Sequence, residues 1–180
     1  MKIRLDAARD EPFRWQESIA LPAADFGLGS DLELSPVEVD GTLSWAAPNY
    51  LLQARLAYRR TVACDRCLAP VEERVETPFL LLVVPRGGRE TRAHEREREV
   101  ASEELGVLEV AGEALDTGPV VAEQVELNLP THPLCREDCA GLCPRCGRNL
   151  NQGACGCAPP ASDPRWGALA ALRDKLDGRP

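Results

Sequence analysis

Eight cysteines with an uneven distribution are the residues of this sequence best suited to chemistry. Six of them lie within residues 134–157, LCREDCAGLCPRCGRNLNQGACGC, and the other two form the C-x2-C pair of VACDRCLAP. Close pairs of thiolates bind soft cations such as Zn²⁺, because one tight turn presents two sulfurs to a single ion. The spacing therefore predicts a metal centre with thiolate ligands.

Eight thiols are enough for two tetrahedral sites, and proximity along the chain predicts how they group. One predicted site uses the four cysteines nearest the C-terminus: Cys143, Cys146, Cys155 and Cys157. The other joins the upstream pair to the first two cysteines of the cluster: Cys64, Cys67, Cys135 and Cys139. A site closed by four thiolates has no open position for water. We therefore expect one or two structural zinc ions.

Other interpretations of these residues remain open. Thiol redox chemistry is one, although a redox C-x2-C usually begins a helix, whereas Cys64 follows a strand-like segment. Burial as ordinary apolar side chains is another, although the glycine-rich turns of CPRCG and CGC offer little apolar cover. His132 could replace one thiol ligand. The sequence has no hydrolase or phosphate-loop motif and only two histidines, so we expect a protein that is not an enzyme.

The charge distribution bears on possible partners. A net charge of −8 argues against general nucleic-acid binding, which depends on neutralising phosphates. Residues 130–180 carry seven Lys/Arg and five Asp/Glu, which leaves −10 on residues 1–129. Arginines accompany both cysteine regions, and the candidate binding residues are Arg55, Arg59, Arg66, Arg136, Arg145 and Arg148. The simpler alternative is an ordinary solvated surface.

In the first half of the chain, the sequence predicts that strands position the cysteines. FRWQESIAL, YLLQARLAYRR and PVEERVETPFLLLVVP alternate apolar and polar residues with the period of two of a half-buried strand. We predict an antiparallel meander in which the first cysteine pair forms the corner between the two longest strands. Asp40-Gly41 predicts a hairpin turn and Pro48-Asn49 the next turn. Arg60 has the parity of the inward residues, so we expect it to be buried or paired.

In the second half of the chain, the sequence predicts helices. Asp116 or Thr117 can cap a helix over residues 118–129, with Pro119 in its first turn. A similar pattern predicts a second helix over residues 163–177. Residues 86–104 hold five arginines and six glutamates without apolar periodicity, which predicts a mobile charged loop with His94 as a solvated bystander.

These elements predict an α+β protein. It would contain a mainly antiparallel sheet, two or three helices, and a cysteine-rich, zinc-stabilised C-terminal knuckle. Residues 1–130 would form a β-rich body that includes the charged loop and the helix at 118–129, and residues 131–180 a module with a C-terminal helix. The longest apolar run, FLLLVV at 79–84, is too short to span a membrane, and the charged start lacks a signal peptide. We therefore expect a soluble, cytoplasmic protein.

Three segments together resemble the YceD family, the large ribosomal RNA subunit accumulation proteins. They are VACDRCLAPVE, EQVELNLPTHPLCREDCAGLCPRCGRNLNQGACGC and DPRWGALAAL, and the resemblance runs from about residue 40 to 176. The block CREDCAGLCPRCGRNLN is its most specific part. All eight cysteines match cysteine positions of the family. Family members differ in how many of the later cysteines they keep, which fits a structural metal better than a catalytic one.

The resemblance implies a non-enzymatic bacterial factor that supports synthesis or accumulation of large-subunit (23S) ribosomal RNA. Its expected partners are ribosomal RNA or the machinery of ribosome assembly and RNA processing, with no membrane and no small-molecule substrate. The alternative is a zinc-ribbon adaptor that binds a protein partner outside ribosome biogenesis.

Overall fold

The structure, a computed structural model, describes residues 1–26, 32–86 and 106–158 together with Arg165. Within these residues the chain forms eight β-strands and one α-helix. The strands are β1 (Lys2–Arg4), β2 (Phe13–Ile19), β3 (Leu32–Leu34), β4 (Val37–Ala46), β5 (Asn49–Ala63), β6 (Pro70–Arg86), β7 (Val107–Ala111) and β8 (Ala114–Asp116). The helix, α1, spans Thr117–Leu127, and short 3₁₀ helices occur at Leu5–Ala8, Ala23–Phe26 and Leu150–Gln152.

Most of the strands belong to one sheet with the order β2-β4-β5-β6-β7, in which β3 pairs with the part of β5 that extends past the start of β4. The β2–β4, β4–β5 and β5–β6 pairs are antiparallel, which confirms the predicted mainly antiparallel meander. β6 and β7 are parallel, a pairing that alternation cannot reveal because its period is two in either direction. β1 and β8 form a separate two-stranded sheet.

The alternation of apolar and polar residues along β5 places its apolar side chains in the hydrophobic core. Leu52, Leu56 and Tyr58 are buried, whereas Gln53 and Arg55 are exposed on the opposite face, as predicted. Burying a leucine side chain contributes roughly 1.5–3 kcal/mol to stability. The register of β5 is therefore strongly specified, because a slip of one residue would expose this entire apolar set.

Helix α1 covers the buried face of the sheet. Asp116 caps it by accepting a hydrogen bond from the Gly118 backbone N–H at 3.2 Å, and Val120, Val121 and Val125 are buried beneath it. The predicted helix at 118–129 therefore exists, with ends at 117 and 127. The predicted helix at 163–177, apart from Arg165, lies outside the described residues. So does the predicted loop at 86–104 with His94, apart from Arg86.

The predicted hairpin turn at Asp40-Gly41 is wrong, because both residues lie inside the continuous strand β4. Gly41 is the register partner of Trp15 on β2, and a Cβ at residue 41 would overlap the Trp15 indole ring. Gly41 is therefore needed because it leaves space for the cross-strand Trp15 ring. It does not adopt the positive φ of a turn glycine. The next turn exists, but it lies at residues 47–48, one residue before the predicted Pro48-Asn49, since β4 ends at Ala46 and β5 begins at Asn49.

Arg60 joins three elements on the inner face of the sheet. Its Nε donates to Oε2 of Glu73 on β6 at 2.8 Å, and its Nη1 donates to the carbonyl of Asn128, directly after α1. Arg60 is buried and ion-paired, as the parity of the strand predicts. This paired charge fixes the end of α1 over β5, four residues before the first cysteine.

Gly41→Ala should lower the free energy of unfolding by about 1–3 kcal/mol, because the added methyl group displaces the Trp15 ring from a packed site. Urea denaturation measures this change. Gly106→Ala is the matched control, since a Cβ there lies 3.4 Å from the Leu80 carbonyl and makes ordinary contact. Adding Trp15→Leu should make the cost of Gly41→Ala much smaller, and an unchanged cost would contradict the explanation.

Candidate metal centre

The β5–β6 hairpin positions the first cysteine pair. Its ladder runs from the pair Tyr50 and Val83 to the pair Ala63 and Pro70, and the chain turns just beyond that last pair. The Cys64 N–H donates to the Ala69 carbonyl at 2.9 Å and so closes the turn. Cys64 and Cys67 are both buried at this corner, in the turn that joins strand β5 to strand β6. The pair therefore lacks the helix N-terminus that a redox C-x2-C would use.

The two C-x2-C segments form the same turn. The Leu68 N–H donates to the Cys64 carbonyl, and the Gly147 N–H donates to the Cys143 carbonyl, both at 2.9 Å. Leu68 and Gly147 follow the second cysteine of each turn and have φ angles of 59° and 71°. In each turn the backbone N–H groups of the two residues before this position donate to the sulfur of the first cysteine. Each turn is thus shaped to stabilise a thiolate.

The eight sulfurs converge into two groups, and the Sγ atoms of each group lie within 4.8 Å of one another. We call Cys64, Cys67, Cys135 and Cys139 the first tetrad, and Cys143, Cys146, Cys155 and Cys157 the second tetrad. These are the two groups that proximity along the chain predicts. The first tetrad brings the sheet corner together with residues from beyond α1.

The sulfur separations suit zinc. The Sγ atoms of Cys64 and Cys139 are 3.8 Å apart, and those of Cys67 and Cys135 are 3.6 Å apart. A tetrahedral site with Zn–S bonds of about 2.3 Å has sulfur–sulfur edges of about 3.8 Å. The first tetrad therefore has both the donor type and the dimensions of a closed Zn(Cys)₄ site, and the second tetrad has the same donor type within the same 4.8 Å limit.

Main-chain hydrogen bonds hold the first tetrad against the sheet. The Asp65 N–H donates to the Pro133 carbonyl at 2.9 Å, and the Leu142 N–H donates to the Arg66 carbonyl at 3.0 Å. The Arg66 guanidinium donates to the Cys139 carbonyl at 3.0 Å. Four apolar side chains pack around the buried cysteines: Ala69, Val71, Leu134 and Leu142. The first tetrad is therefore part of a small hydrophobic core.

Asn151 connects the two tetrads, and the sequence analysis missed it. Its Nδ2 donates to the sulfur of Cys139 at 3.3 Å, and its Oδ1 accepts from the Ala140 N–H and from Arg136, both at 2.8 Å. Asn151 belongs to the loop between Cys146 and Cys155, so a residue of the second tetrad's loop orients a ligand of the first. The polar run NLNQ between two cysteines is the signal that could have indicated it.

The first thiol of each tetrad has a lowered pKa, which suits it to bind a cation as a thiolate. Burial raises the pKa of Cys64, but the N–H groups of the turn and of Cys135 together lower it to about 6. The N–H groups of Cys146 and Arg145 likewise lower the pKa of Cys143 to about 6.

One thiol in each tetrad has a raised pKa instead of a lowered one. Hydrogen bonding with Cys139 raises the pKa of Cys135 to about 12, and hydrogen bonding with Cys146 raises the pKa of Cys157 to about 12. Once neighbouring thiols have ionised, the remaining thiol retains its proton unless a cation compensates the charge. A divalent cation would therefore release protons as it binds either tetrad.

The candidate arginines divide between two places. The Arg66 side chain donates to the Cys139 carbonyl, and Arg136 donates to Asn151, which in turn donates to the sulfur of Cys139. Arg145 and Arg148 lie exposed in the turn of the second tetrad. Arg136 also pairs with Asp138 at 3.3 Å.

The two upstream candidates lie on the sheet, on the exposed face of β5. Arg55 is nine residues before Cys64, about 30 Å along an extended strand, and its register partner is Asp40. Arg59 lies closer, five residues before Cys64, opposite Arg74. The structure therefore brings four of the six arginines to the tetrads and leaves Arg55 far away.

His132 lies near the first tetrad but is not a member of it. Its Nδ1 is 3.0 Å from Oδ2 of Asp65, and its side chain is exposed. The first tetrad has four sulfurs without it, so the geometry does not favour His132 as a replacement ligand.

The chain is similar to one protein-family model and to mycobacterial proteins. The family model described as large ribosomal RNA subunit accumulation protein YceD matches residues 52–173. Uncharacterized proteins of Mycobacterium tuberculosis and Mycobacterium bovis are 31% identical over 155 residues, which cover 86% of this chain and 67% of each relative.

A more distant match comes from a plant. A chloroplastic protein of Arabidopsis thaliana, named large ribosomal RNA subunit accumulation protein YCED homolog 1, is 31% identical over 62 residues. Those residues cover 34% of this chain and 19% of the plant protein. No solved structure matches the chain significantly. Among the described residues, no helix has the length and apolar composition needed to cross a membrane.

The purified chain should bind two zinc ions, and Cys146→Ser should bind one, because a neutral hydroxyl is a poor zinc ligand beside three thiolates. Native mass spectrometry counts the ions. His132→Ala is the control and should keep both. A folded Cys146→Ser protein that retained two ions would remove Cys146 from the ligand set.

Leu68→Gly should raise the free energy of unfolding by up to about 1 kcal/mol, because glycine adopts a positive φ without strain, although it gains freedom in the unfolded chain. Gly147→Leu should lower it by about 1–2 kcal/mol for the same reason. Thermal denaturation of the zinc-loaded proteins compares them. Leu68→Ala is the matched control, since it keeps the strained φ and removes only an exposed side chain. Equal gains from Leu68→Ala and Leu68→Gly would rule out the backbone as the cause.

Proposed function

Because this chain belongs to the YceD family, we propose that it is a non-enzymatic bacterial factor that supports the synthesis or accumulation of large-subunit (23S) ribosomal RNA in the cytoplasm. The observation that carries the proposal is the extent of the family match. Residues 52–173 include the whole β6 strand and both tetrads. The plant relative is named for large ribosomal RNA subunit accumulation.

The tetrads support a structural and not a catalytic role for the metal. Four thiolates fill the coordination shell of zinc and leave no position for a water or a substrate. In the first tetrad, one ion would join the sheet corner to residues 135–139, which follow α1. Zinc would therefore keep the C-terminal segment docked on the hairpin, and its binding energy would contribute to folding.

The charge distribution suggests which end of the protein meets its partner. Four arginines surround the tetrads, whereas residues 1–129 carry a net charge of −10. An acidic body lowers the affinity for free RNA, because binding depends on neutralising phosphates. We therefore favour contact with an assembling large-subunit particle, or with a protein of the RNA-processing machinery, through the end that carries the tetrads.

A second candidate function is an adaptor that binds a protein partner outside ribosome biogenesis. The net charge of −10 on residues 1–129 suits a protein partner better than free RNA. Measurement of ribosomal RNA in cells separates the two functions.

Depletion of the protein from its bacterium should lower the ratio of 23S to 16S ribosomal RNA, and the wild-type gene should restore it. The double variant Arg145→Ala/Arg148→Ala should restore it less well, because it removes two positive charges beside the second tetrad. Quantitative RNA analysis and sucrose-gradient ribosome profiles measure both effects.

Arg14→Ala, an exposed arginine on β2 far along the sheet, is the matched control and should restore the ratio fully. An unchanged ribosome profile after depletion would support the adaptor function instead. Full rescue by the double variant, with zinc content intact, would remove the arginines from the binding surface.

A further inference from the structure

We propose that the second tetrad is an oxidation site, at which hydrogen peroxide joins Cys146 to Cys157 and expels the zinc ion, while the first tetrad keeps its ion. The proposal rests on zinc binding by both tetrads and does not depend on the ribosomal role. It follows from differences between the two tetrads in exposure, in backbone support and in the contacts that connect them.

The tetrads differ in their access to solvent. Cys64, Cys67 and Cys139 of the first tetrad are at most 5% exposed, and only Cys135 is open. In the second tetrad Cys143 alone is buried, whereas Cys146 and Cys157 are exposed and Cys155 is intermediate. The second tetrad therefore offers a dissolved oxidant two exposed cysteine residues and the first tetrad only one, and susceptibility of cysteine to oxidation follows exposure and thiolate character.

The tetrads also differ in what holds their ligands in place. The first tetrad lies between the ends of β5 and β6, under apolar cover and across several main-chain hydrogen bonds. The second is supported by the Cys143–Gly147 turn and by an isolated bridge between Leu142 and Asn149.

Two ligands of the second tetrad have little support of their own. Cys155 and Cys157 follow the last described 3₁₀ helix, and within the described part of the chain no backbone hydrogen bond anchors residues 154–158. Gly153 and Gly156 flank Cys155 with positive φ angles. The metal would therefore be the main restraint on this segment, so its ligands can rearrange when a sulfur is oxidised.

The chemistry balances with hydrogen peroxide as the oxidant. The thiolate of one exposed cysteine attacks a peroxide oxygen, the O–O bond breaks, and a sulfenic acid forms with release of one water after protonation. The thiolate of the second exposed cysteine attacks that sulfur, the S–S bond forms, and the oxygen leaves as a second water. Two sulfurs each lose one electron, and peroxide takes up two electrons and two protons. Zn²⁺, left with the thiolates of Cys143 and Cys155, dissociates.

The consequence of oxidation would reach the surface that carries the arginines. The Cys143 N–H donates to the Arg148 carbonyl at 2.8 Å, so the second tetrad sets the turn that presents Arg145 and Arg148. The loop closed by this tetrad also supplies Asn151 to the sulfur of Cys139. Loss of the second ion would loosen this loop while the sheet and the first ion remain, which makes the arginine pair the oxidant-sensitive part of the molecule.

The test uses the full, zinc-loaded chain and one molar equivalent of hydrogen peroxide per chain. A chromogenic chelator follows released zinc, and peptide mapping after alkylation identifies the disulfide. We expect the loss of one of the two zinc ions together with a Cys146–Cys157 disulfide. A thiol reductant and added zinc should restore the second ion.

Cys146→Ser/Cys157→Ser is the matched variant, because it retains only the first tetrad and leaves the buried sulfurs intact. It should lose no zinc under the same treatment. The proposal would be overturned if the wild type released both ions together, if the first tetrad lost its ion first, if zinc remained bound, or if the disulfide formed between other cysteines. These readouts come from purified protein, so they stand apart from the effect of depletion on ribosomal RNA.

Discussion

Four thiolates cannot lie within 4.8 Å of one another without a cation to compensate their charge, and the C-terminal half of the described chain is organised around this constraint. The backbone N–H groups of the two turns favour ionisation of Cys64 and Cys143. Hydrogen bonds to the neighbouring sulfurs then raise the pKa of Cys135 and of Cys157, so these two thiols keep their protons. A divalent ion would remove this conflict in each tetrad. The same ion that neutralises the first tetrad would connect the β5–β6 hairpin to the chain that follows α1.

The rest of the fold presents the sulfurs to that ion. The register of β5 and β6 places Cys64 and Cys67 just beyond the last strand pair, and the buried leucines of β5 oppose any slip of that register. Arg60 fixes the end of α1 over the same strand, so the chain leaves the helix close to the corner. Hydrogen bonds therefore attach the first tetrad to the sheet, and Asn151 and Leu142 attach the second tetrad to the first. Each step outward is less buried than the one before, which is why the two tetrads differ in exposure.

Much of this arrangement could be predicted, and the exceptions have physical causes. The alternation of β5 and the cap at Asp116 depend on neighbours in the chain, so the strand face and the helix start were correct. Asp40-Gly41 has the composition of a turn, but composition does not show that a tryptophan of another strand needs the space above the glycine. Arg55 precedes the cysteine pair by only nine residues, but an extended strand converts that short separation into about 30 Å. Asn151 could not be identified as a sulfur donor, because its partner Cys139 is adjacent only in the folded chain.

The sequence alone was sufficient for the two groups of four cysteines, the mainly antiparallel sheet and the family, because each depends on residue type and short spacing along the chain. Only the tertiary structure decided which tetrad is buried, which arginines lie beside the sulfurs and which side chain connects the two sites. Burial and long-range contacts depend on how the sheet edge, the end of α1 and the cysteine segment pack against each other. That packing brings Cys64 and Cys139, 75 residues apart, to a separation of 3.8 Å between their sulfurs.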